Sequence, residues 1–153
     1  MADEILMVPV GYVRSARRKP EDDGWDGVPA QIELDARFGP EALAGLSDFS
    51  HVEVLFHFHA ASGPGQTGAR RPRDNPAWPA VGIFAQRGKD RTNHIGATVC
   101  RILSVQGTRL SVAGLDAIDG TPVLDLKPVM AGFLPRGELR QPEWATALMR
   151  SYW

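Results

Sequence analysis

HVEVLFHFHA, residues 51–60, alternates apolar and polar side chains more strictly than any other segment of the chain. Four apolar side chains fall on one face, namely Val52, Val54, Phe56 and Phe58. The other face carries His51, Glu53, Leu55, His57 and His59. Because successive side chains of a β-strand point to opposite sides, this pattern predicts a half-buried strand.

The rest of the chain repeats the strand signal between turns. Its 153 residues include 16 glycines and 12 prolines, which favours short strands joined by turns over long helices. Further strands are predicted at residues 5–13, 31–34, 81–84, 97–106 and 108–115. One or two helical turns are expected within residues 35–46. The sequence therefore predicts a β-rich architecture.

Length and charge limit the class of protein. The length fits one domain, which we assign to residues 1–153. The net charge of −1 means that a polyanionic partner would have to meet a local basic patch. Cys100 is the single cysteine and cannot form an internal disulfide, and neither a leader nor a long apolar run is evident. We therefore expect a cytoplasmic protein with no membrane partner.

The polar face of the 51–60 strand raises the question of a metal site. His57 and His59 stand in an H-x-H arrangement, with His51 and Glu53 further along the same face. Imidazoles on a rigid strand are a common start of a metal site. However, side chains two residues apart on a strand are about 6.5 to 7 Å apart, and no second ligand cluster is at metal spacing. We expect no metal, and a metal-dependent enzyme using the three histidines is an alternative.

A dense polar loop follows the strand predicted at residues 81–84. The segment VGIFAQRGKDRTNHIG, residues 81–96, carries seven polar or charged side chains within the eight positions 87–94. Between Arg70 and Arg91 there are six basic residues and two acidic ones. Such a patch suits a phosphate-bearing partner. For Arg70 and Arg73 we expect only a solvated loop face, whereas Arg87 and Arg91, at a strand end, are not expected to be merely solvated.

Three features have two interpretations on local grounds. Trp25 could fold over the rim of the core or stack on a ligand. Asp116 and Asp119, within GLDAIDGTPVLDLKP at residues 114–128, could form turns or present carboxylates to a ligand. Cys100 lies in an apolar setting and is expected to be a small buried residue, in preference to a nucleophile.

The last segment, PEWATALMRSYW at residues 142–153, predicts an amphipathic helix. Trp144, Leu148 and Tyr152 are spaced four residues apart, and Pro142 suits a first helical position. This stripe would pack either on the body of the domain or on a second copy of the chain.

Four segments together resemble the TrmO family, also called TsaA-like or VirR-like. They read VGYVRS at 10–15, GLSDFSHVEVLFHFH at 45–59, GIFAQRGKDRTNHIG at 82–96 and GLDAIDGTPVLDLKP at 114–128. The last two are similar to the family versions GVFATRSPFRPNPIG and LDLLDGTPVLDIKPY. The resemblance covers residues 8–130. It implies an all-β, mainly antiparallel fold, a small closed or partly open β-barrel with short peripheral helices and a C-terminal helix, that works as a homodimer.

The resemblance also implies an activity. Members of the family are methyltransferases that use S-adenosyl-L-methionine, and the better-known ones N6-methylate threonylcarbamoyladenosine at position 37 of tRNA. Because no G-x-G-x-x-G motif follows a strand here, this cofactor would have to be held by other loops. Methyl transfer from a sulfonium is an in-line displacement that requires alignment more than acid–base catalysis.

Individual residues take roles from the matched motifs. The resemblance implies cofactor contacts at Asp23, Gly24, Trp25, His59, Ala60, Arg87, Val99, Ala113, Gly114, Leu115 and Asp116. The methyl acceptor would be framed by the catalytic residues Asn93, Asp119 and Lys127. Further substrate contacts would come from Arg71, Lys89, Arg91 and His94.

The chain departs from the family pattern in three places. The family's Arg-Pro-Asn-Pro-Ile-Gly is here residues 91–96, with Thr92 and His94 in place of the prolines. The N-terminal loop has Asp22-Asp23-Gly24-Trp25 where the family has Pro-Arg-Gln, and the C-terminal extension of longer members is expected to be absent. These changes leave two alternatives open, a small-molecule methyl acceptor and a non-catalytic cofactor-binding module.

Overall fold

The computed structural model describes residues 3–153, which form eight strands and one α-helix. The strands are β1 (Gly11–Ser15), β2 (Pro29–Leu34), β3 (His51–His57), β4 (Ala69–Arg70), β5 (Val81–Gly82), β6 (Ile95–Gln106), β7 (Arg109–Ala113) and β8 (Pro122–Pro128), and the helix is α1 (Glu143–Met149). Six strands close into a barrel in the order β1-β2-β7-β6-β3-β8, and β4 pairs only with β5.

All neighbouring strands of the barrel run antiparallel. The barrel closes where β1 meets β8, through the pairs Gly11–Val123 and Tyr12–Pro122. A closed sheet leaves no edge strand that could pair with another chain. The expected mainly antiparallel β-barrel with short helices and a C-terminal helix is confirmed.

The barrel interior is the hydrophobic core, and β3 contributes to it as its alternation predicts. Val52, Val54 and Phe56 are at most 1% exposed. They pack with buried side chains of other barrel strands, among them Val13, Ile32, Leu110, Val112 and Val123. Since full burial of one such side chain contributes about 1.5 to 3 kcal/mol, this interior is the main source of stability.

Several predicted strands are longer than the observed ones. The strand expected at residues 51–60 ends at His57. The strand expected at residues 5–13 begins only at Gly11, and Ile5 and Leu6 are 81% and 91% exposed. The strand expected at residues 81–84 is limited to Val81–Gly82, since the chain turns into a 3-10 helix at Ile83–Ala85. Apolar runs alone do not make strands when no neighbouring strand of the barrel lies beside them.

Short helices and ordered loops connect the strands. The turns expected in residues 35–46 are the 3-10 helices Pro40–Leu43 and Leu46–Asp48. Four more 3-10 helices lie at Pro72–Asp74, Ile83–Ala85, Thr92–His94 and Ala131–Phe133. Within residues 3–153, none of the helices has the length and hydrophobicity needed to cross a membrane.

The long excursion at residues 61–79 is held by the loop at 90–94. The Gln66 backbone amide donates to the Asp90 carbonyl at 2.8 Å, and the Thr92 hydroxyl donates to the Gln66 carbonyl at 3.0 Å. This loop is therefore bonded to the polar segment that follows β5.

Candidate active site

Asp116 is the centre of the most extensive polar network among the predicted site residues. It lies just after β7 and is half-buried. The Thr98 hydroxyl, from β6, donates a hydrogen bond to Asp116 Oδ1, and the Tyr152 hydroxyl, from the C-terminal tail, donates one to Oδ2. Two segments distant in sequence therefore fix the orientation of one carboxylate.

Tyr152 enters this network from the segment after α1. Burial raises the pKa of Tyr152 far above its usual range, and the charge of Asp116 and the hydrogen bond to it act in the same direction. The hydroxyl therefore stays protonated and is a permanent donor to Asp116.

The N-terminal loop meets the same tail through its backbone. Gly24 N donates to Ser151 O at 3.2 Å, Trp25 N to Tyr152 O at 3.0 Å, and Asp26 N to Trp153 O at 3.1 Å. The last three residues of the tail therefore lie on the N-terminal loop of their own chain. The helix α1 ends at Met149, so Tyr152 lies beyond the helix whose stripe was predicted to include it. The tail also joins two stretches predicted to contact the cofactor, 23–25 and 113–116.

Trp25 occupies the core rim and does not present its ring to solvent. It is 3% exposed, and the Arg17 guanidinium lies 4.2 Å from its ring centroid. Arg17 also donates to the carbonyl oxygens of Asp23 and Gly24, at 3.0 and 3.1 Å. The ring is thus covered by its own chain, so the interpretation of Trp25 as a stacking surface for a ligand is not supported.

Two guanidinium groups border the Asp116 network. Arg73 forms an ion pair of 3.0 Å with Asp23, and Arg87 donates to the Ala97 carbonyl at 2.6 Å, one residue before Thr98. Both cations are close enough to Tyr152 to oppose the rise of its pKa. The site therefore combines one oriented carboxylate with two fixed positive charges.

The structure separates two predicted residues from this network. Val99 is 49% exposed on the outer face of β6, whereas the neighbouring Thr98 points to Asp116. Lys127 pairs in register with Glu53, which lies four residues before the end of β3. At the rise of a β-strand, Lys127 is therefore about 13 Å from the end of the barrel at which Asn93 and Asp119 lie. Its ammonium contacts Asp125 at 2.8 Å, and this hydrogen bond raises the pKa of Lys127. A role for Lys127 beside Asn93 and Asp119 is therefore not supported.

Asp119 lies in the turn before β8, at the end of the barrel where β3 ends and β6 begins. Its Oδ1 accepts a hydrogen bond of 3.0 Å from Ser15 N, and it borders a shallow depression of about 660 Å³ that Arg14 and Arg18 also line.

His59 Nε2 lies 3.8 Å from the position that a Cβ on Gly120 would take. Ala60 is exposed next to His59, and Ala113, Gly114 and Leu115 are buried before Asp116.

The loop at residues 91–96 has an unusual backbone. Asn93 and His94 have φ angles of 67° and 49°, in the left-handed region that few residues other than glycine adopt. Proline is fixed near φ −65°, so the family's second proline could not occupy position 94 in this conformation. The lost proline therefore coincides with a different path of the loop.

His94 is bonded within its own chain. Its Nδ1 lies 3.0 Å from the Lys89 carbonyl oxygen and its Nε2 lies 3.0 Å from the Gly63 carbonyl oxygen. Both ring nitrogens are therefore within hydrogen-bond distance of carbonyl oxygens of the same chain. The predicted substrate contact of His94 is thus restricted to the face of the ring.

The predicted basic patch is largely engaged by protein groups. Arg71 donates to the carbonyl oxygens of Pro76 and Trp78, and Arg91 donates to the Gln86 carbonyl at 2.6 Å. Lys89 pairs with Asp90 at 3.2 Å. Arg70 forms ion pairs with Asp74 and Asp90, and Arg73 pairs with Asp23, so the expectation that Arg70 and Arg73 are only solvated is wrong.

The strand histidines do not form a metal centre with neighbours in the described part of the chain. No group of three or more His, Cys, Asp or Glu side chains within residues 3–153 is arranged to hold a metal ion. The His57 ring instead meets the His94 ring edge-on, with centroids 6.1 Å apart. Burial, followed by the charges of His94 and His59, lowers the pKa of His57.

Cys100 is a buried thiol, as its apolar setting predicts. It is 1% exposed, and burial with the nearby charge of Asp116 raises its pKa to about 12. The thiolate that a nucleophile requires is therefore suppressed at neutral pH.

Thr98 and Tyr152 are the site residues that sequence reasoning missed. Thr98 lies next to Val99 in a strand, and its hydroxyl carries no local signal of function. The spacing of Trp144, Leu148 and Tyr152 indicated Tyr152 only as part of the apolar stripe of the predicted helix. A tyrosine in such a stripe also carries a polar hydroxyl that needs a partner when buried, and this is the signal that could have indicated it.

Comparison with known proteins agrees with the barrel fold. A family model described as the tRNA-methyltransferase O N-terminal domain matches residues 14–133. The chain belongs to this family. A solved structure of TrmO from Pseudomonas aeruginosa resembles it with a TM-score of 0.70 and 32% identity, covering 89% of this chain and 62% of that one.

Two curated relatives show how the TrmO domain is used in proteins of different length. The tRNA (adenine(37)-N6)-methyltransferase of Mus musculus is 35% identical over 141 residues, which are 86% of this chain and 32% of that protein. A probable S-adenosyl-L-methionine-binding protein of Pyrococcus abyssi is 33% identical over 136 residues, 86% of this chain and 72% of that protein. The chain thus spans about a third of the mouse relative.

Proposed function

We propose that this chain is an S-adenosyl-L-methionine-dependent methyltransferase that modifies N6 of an adenosine in tRNA, namely threonylcarbamoyladenosine at position 37. The observation that carries the proposal is the network at Asp116. It joins the N-terminal loop, the start of β6 and the turn after β7. Two stretches for which the resemblance implies cofactor contacts, 23–25 and 113–116, are thus connected through the C-terminal tail.

The donor set fits the proposed cofactor. S-adenosyl-L-methionine presents an ammonium group and ribose hydroxyls, which need an acceptor, and a carboxylate, which needs a cation. The oriented Asp116 carboxylate is such an acceptor, and Arg87 offers the cation, with Arg73 nearby as the partner of Asp23. These residues would hold the cofactor.

Alignment is the main task that the protein has to perform. When bound, the cofactor supplies a sulfonium methyl group that an acceptor nitrogen attacks, so that the C–S bonding pair passes to sulfur and the nitrogen releases a proton. Thr98 and Tyr152 keep Asp116 in one orientation, and the Ser15 amide does the same for Asp119. Correct alignment of two reacting groups can contribute about 7 to 11 kcal/mol to a rate.

Asn93 and Asp119 would frame the acceptor base. Both lie at the end of the barrel where β3 ends and β6 begins, and Asn93 is exposed in the left-handed turn. Lys89 and Arg91, which flank this turn, would approach the RNA backbone once their internal contacts exchange.

A small-molecule acceptor is the second candidate. It is favoured by the left-handed φ of His94, because the loop at 91–96 takes a path that the proline-containing family version could not take. A loop of different shape beside the acceptor could change which acceptor fits.

Assembly and compartment complete the proposal. We propose a homodimer, since Ile95 and Val99 leave apolar area exposed on the outer face of β6, at 36% and 49%. Light scattering after size-exclusion chromatography tests this, and a monomeric mass at micromolar concentration would overturn it.

A tRNA substrate makes the cytoplasm the proposed compartment.

The activity is tested with deuterated methyl donor and two tRNA substrates. The protein is incubated with methyl-deuterated S-adenosyl-L-methionine and tRNA that does or does not carry threonylcarbamoyladenosine, and the digested nucleosides are analysed by mass spectrometry. We expect label only in the modified adenosine. Label in unmodified adenosine would show that the unmodified base is the substrate. Absence of label from both tRNAs, with the cofactor bound, would overturn tRNA as the substrate.

Two variants test the acceptor site within the same assay. Asn93→Gly removes the side chain without a backbone penalty at positive φ, and Asp119→Asn keeps an acceptor oxygen for the Ser15 amide. Each should lower the rate by about 100-fold, the cost of misalignment, while the cofactor still binds. Arg109→Gln, at the β6–β7 hairpin, is the matched surface control and should retain the wild-type rate. Wild-type rates in the first two variants would contradict the assignment.

A further inference from the structure

We propose that Tyr152 is a positioning residue of the cofactor site, through which the C-terminal tail holds Asp116 in its ligand-binding orientation and ties the N-terminal loop to it. This inference rests on the proposed function, because the ligand that Asp116 would meet is the proposed cofactor. Tyr152 lies 19 positions beyond residue 133, where the family match ends.

Tyr152 makes two attachments at once. Its backbone oxygen accepts a hydrogen bond of 3.0 Å from Trp25 N, and its side-chain hydroxyl donates to Asp116 Oδ2. The flanking pairs Gly24–Ser151 and Asp26–Trp153 fix the tail along three consecutive residues of the loop. One residue thus connects two stretches predicted to contact the cofactor.

The Asp116 carboxylate has acceptor capacity beyond these contacts. An ionised carboxylate has about four lone-pair sites, and the hydroxyls of Thr98 and Tyr152 occupy one on each oxygen. Both donors are neutral, so they orient the carboxylate without cancelling its charge. The remaining sites keep that charge available for an ammonium group or a sugar hydroxyl.

The shape of the tail supports a defined position for the hydroxyl. Tyr152 and Trp153 pack edge-to-face with ring centroids 4.9 Å apart. Since tail and loop share three backbone hydrogen bonds, the hydroxyl can be removed without removing the attachment of the backbone. The effect of the hydroxyl on Asp116 is thus separable from the packing of the tail.

The test compares Tyr152→Phe with Tyr12→Phe, the same change in the chain's other tyrosine. Tyr12 lies on β1, is 38% exposed, and is outside the Asp116 network. Affinity for S-adenosyl-L-methionine is measured by isothermal titration calorimetry on the full chain, with the melting temperature measured in parallel. Loss of a hydrogen bond to a charged group predicts an affinity for Tyr152→Phe that is about 10- to 100-fold lower, and Tyr12→Phe should bind as the wild type does.

A double-mutant cycle distinguishes positioning from general loosening of the tail. If Tyr152 acts through Asp116, adding Tyr152→Phe to Asp116→Ala should change the remaining affinity by less than about twofold. An equal loss in both backgrounds, or an unchanged affinity of Tyr152→Phe, would overturn this inference while the proposed function stands. A wild-type chain that binds no S-adenosyl-L-methionine would overturn both.

Discussion

Arg73 and Asp23, 50 positions apart in sequence, form an ion pair with a distance of 3.0 Å between Arg73 Nη2 and Asp23 Oδ1. The pair joins the loop that follows β3 to the N-terminal loop. Arg73 has a φ of 52°, an uncommon backbone conformation for a residue other than glycine. The contact links the Asp116 network to the loop at 61–79, which is in turn bonded to residues 90–94.

Arg73→Gln should loosen the N-terminal loop without unfolding the protein. The pair is partly exposed, so its loss should cost no more than about 1 kcal/mol of stability. A loss of about 1 kcal/mol corresponds to an affinity for S-adenosyl-L-methionine that is about fivefold lower, which a calorimetric titration measures. Arg101→Gln breaks the neighbouring pair with Asp26, also 3.0 Å long, and is the matched control. Equal losses of affinity in both variants would show that the effect is not specific to Asp23.

Gly96→Ala tests the packing at the start of β6. A Cβ at position 96 would lie 2.5 Å from the Phe56 ring and 2.9 Å from the Phe58 ring. Because these rings are packed in the core, the substitution should destabilise the protein by about 1 to 3 kcal/mol in urea denaturation. Gly88→Ala, with no neighbour within 4 Å, is the control and should be close to neutral. A stable Gly96→Ala protein would contradict the packing described for Phe56.

Cys100 should resist alkylation in the folded protein. Its pKa is raised to about 12, and the side chain is 1% exposed. At pH 8, iodoacetamide should modify Cys100 only after unfolding in denaturant, as followed by intact mass. Rapid alkylation of the native chain would show an exposed or ionised thiol.

His57 should make the protein less stable in mild acid. Its folded pKa lies below the ordinary value of 6.5, so the unfolded chain takes up this proton first as the pH falls. The free energy of unfolding should therefore decline as the pH falls from about 6.5 to the folded pKa of His57. Above about pH 6.5, His57 should not affect the pH dependence of stability. In His57→Gln this part of the slope should disappear. An identical pH profile for the variant would assign the slope to other groups.

The strands that the sequence predicts well are those whose side chains alternate between core and solvent. The alternation of residues 52–56 is sufficient to place β3, whereas the apolar run at residues 5–8 has no such alternation and is exposed ahead of β1. Strand order and closure depend on pairs such as Gly11–Val123, which no local pattern encodes. The motif resemblance indicated Asp116, but the donors that orient it come from Thr98 and Tyr152, which contact it only in the folded chain.

Calorimetric titration of S-adenosyl-L-methionine into the wild type and into Asp116→Ala tests whether this TrmO-family barrel binds the cofactor at Asp116. We expect saturable binding of one cofactor per chain, with an affinity at least about tenfold lower in Asp116→Ala, because a charged hydrogen-bond partner is lost. Circular dichroism of the variant serves as the control for folding. Absence of binding to the wild type, or equal affinity in the folded variant, would show that Asp116 does not hold this cofactor.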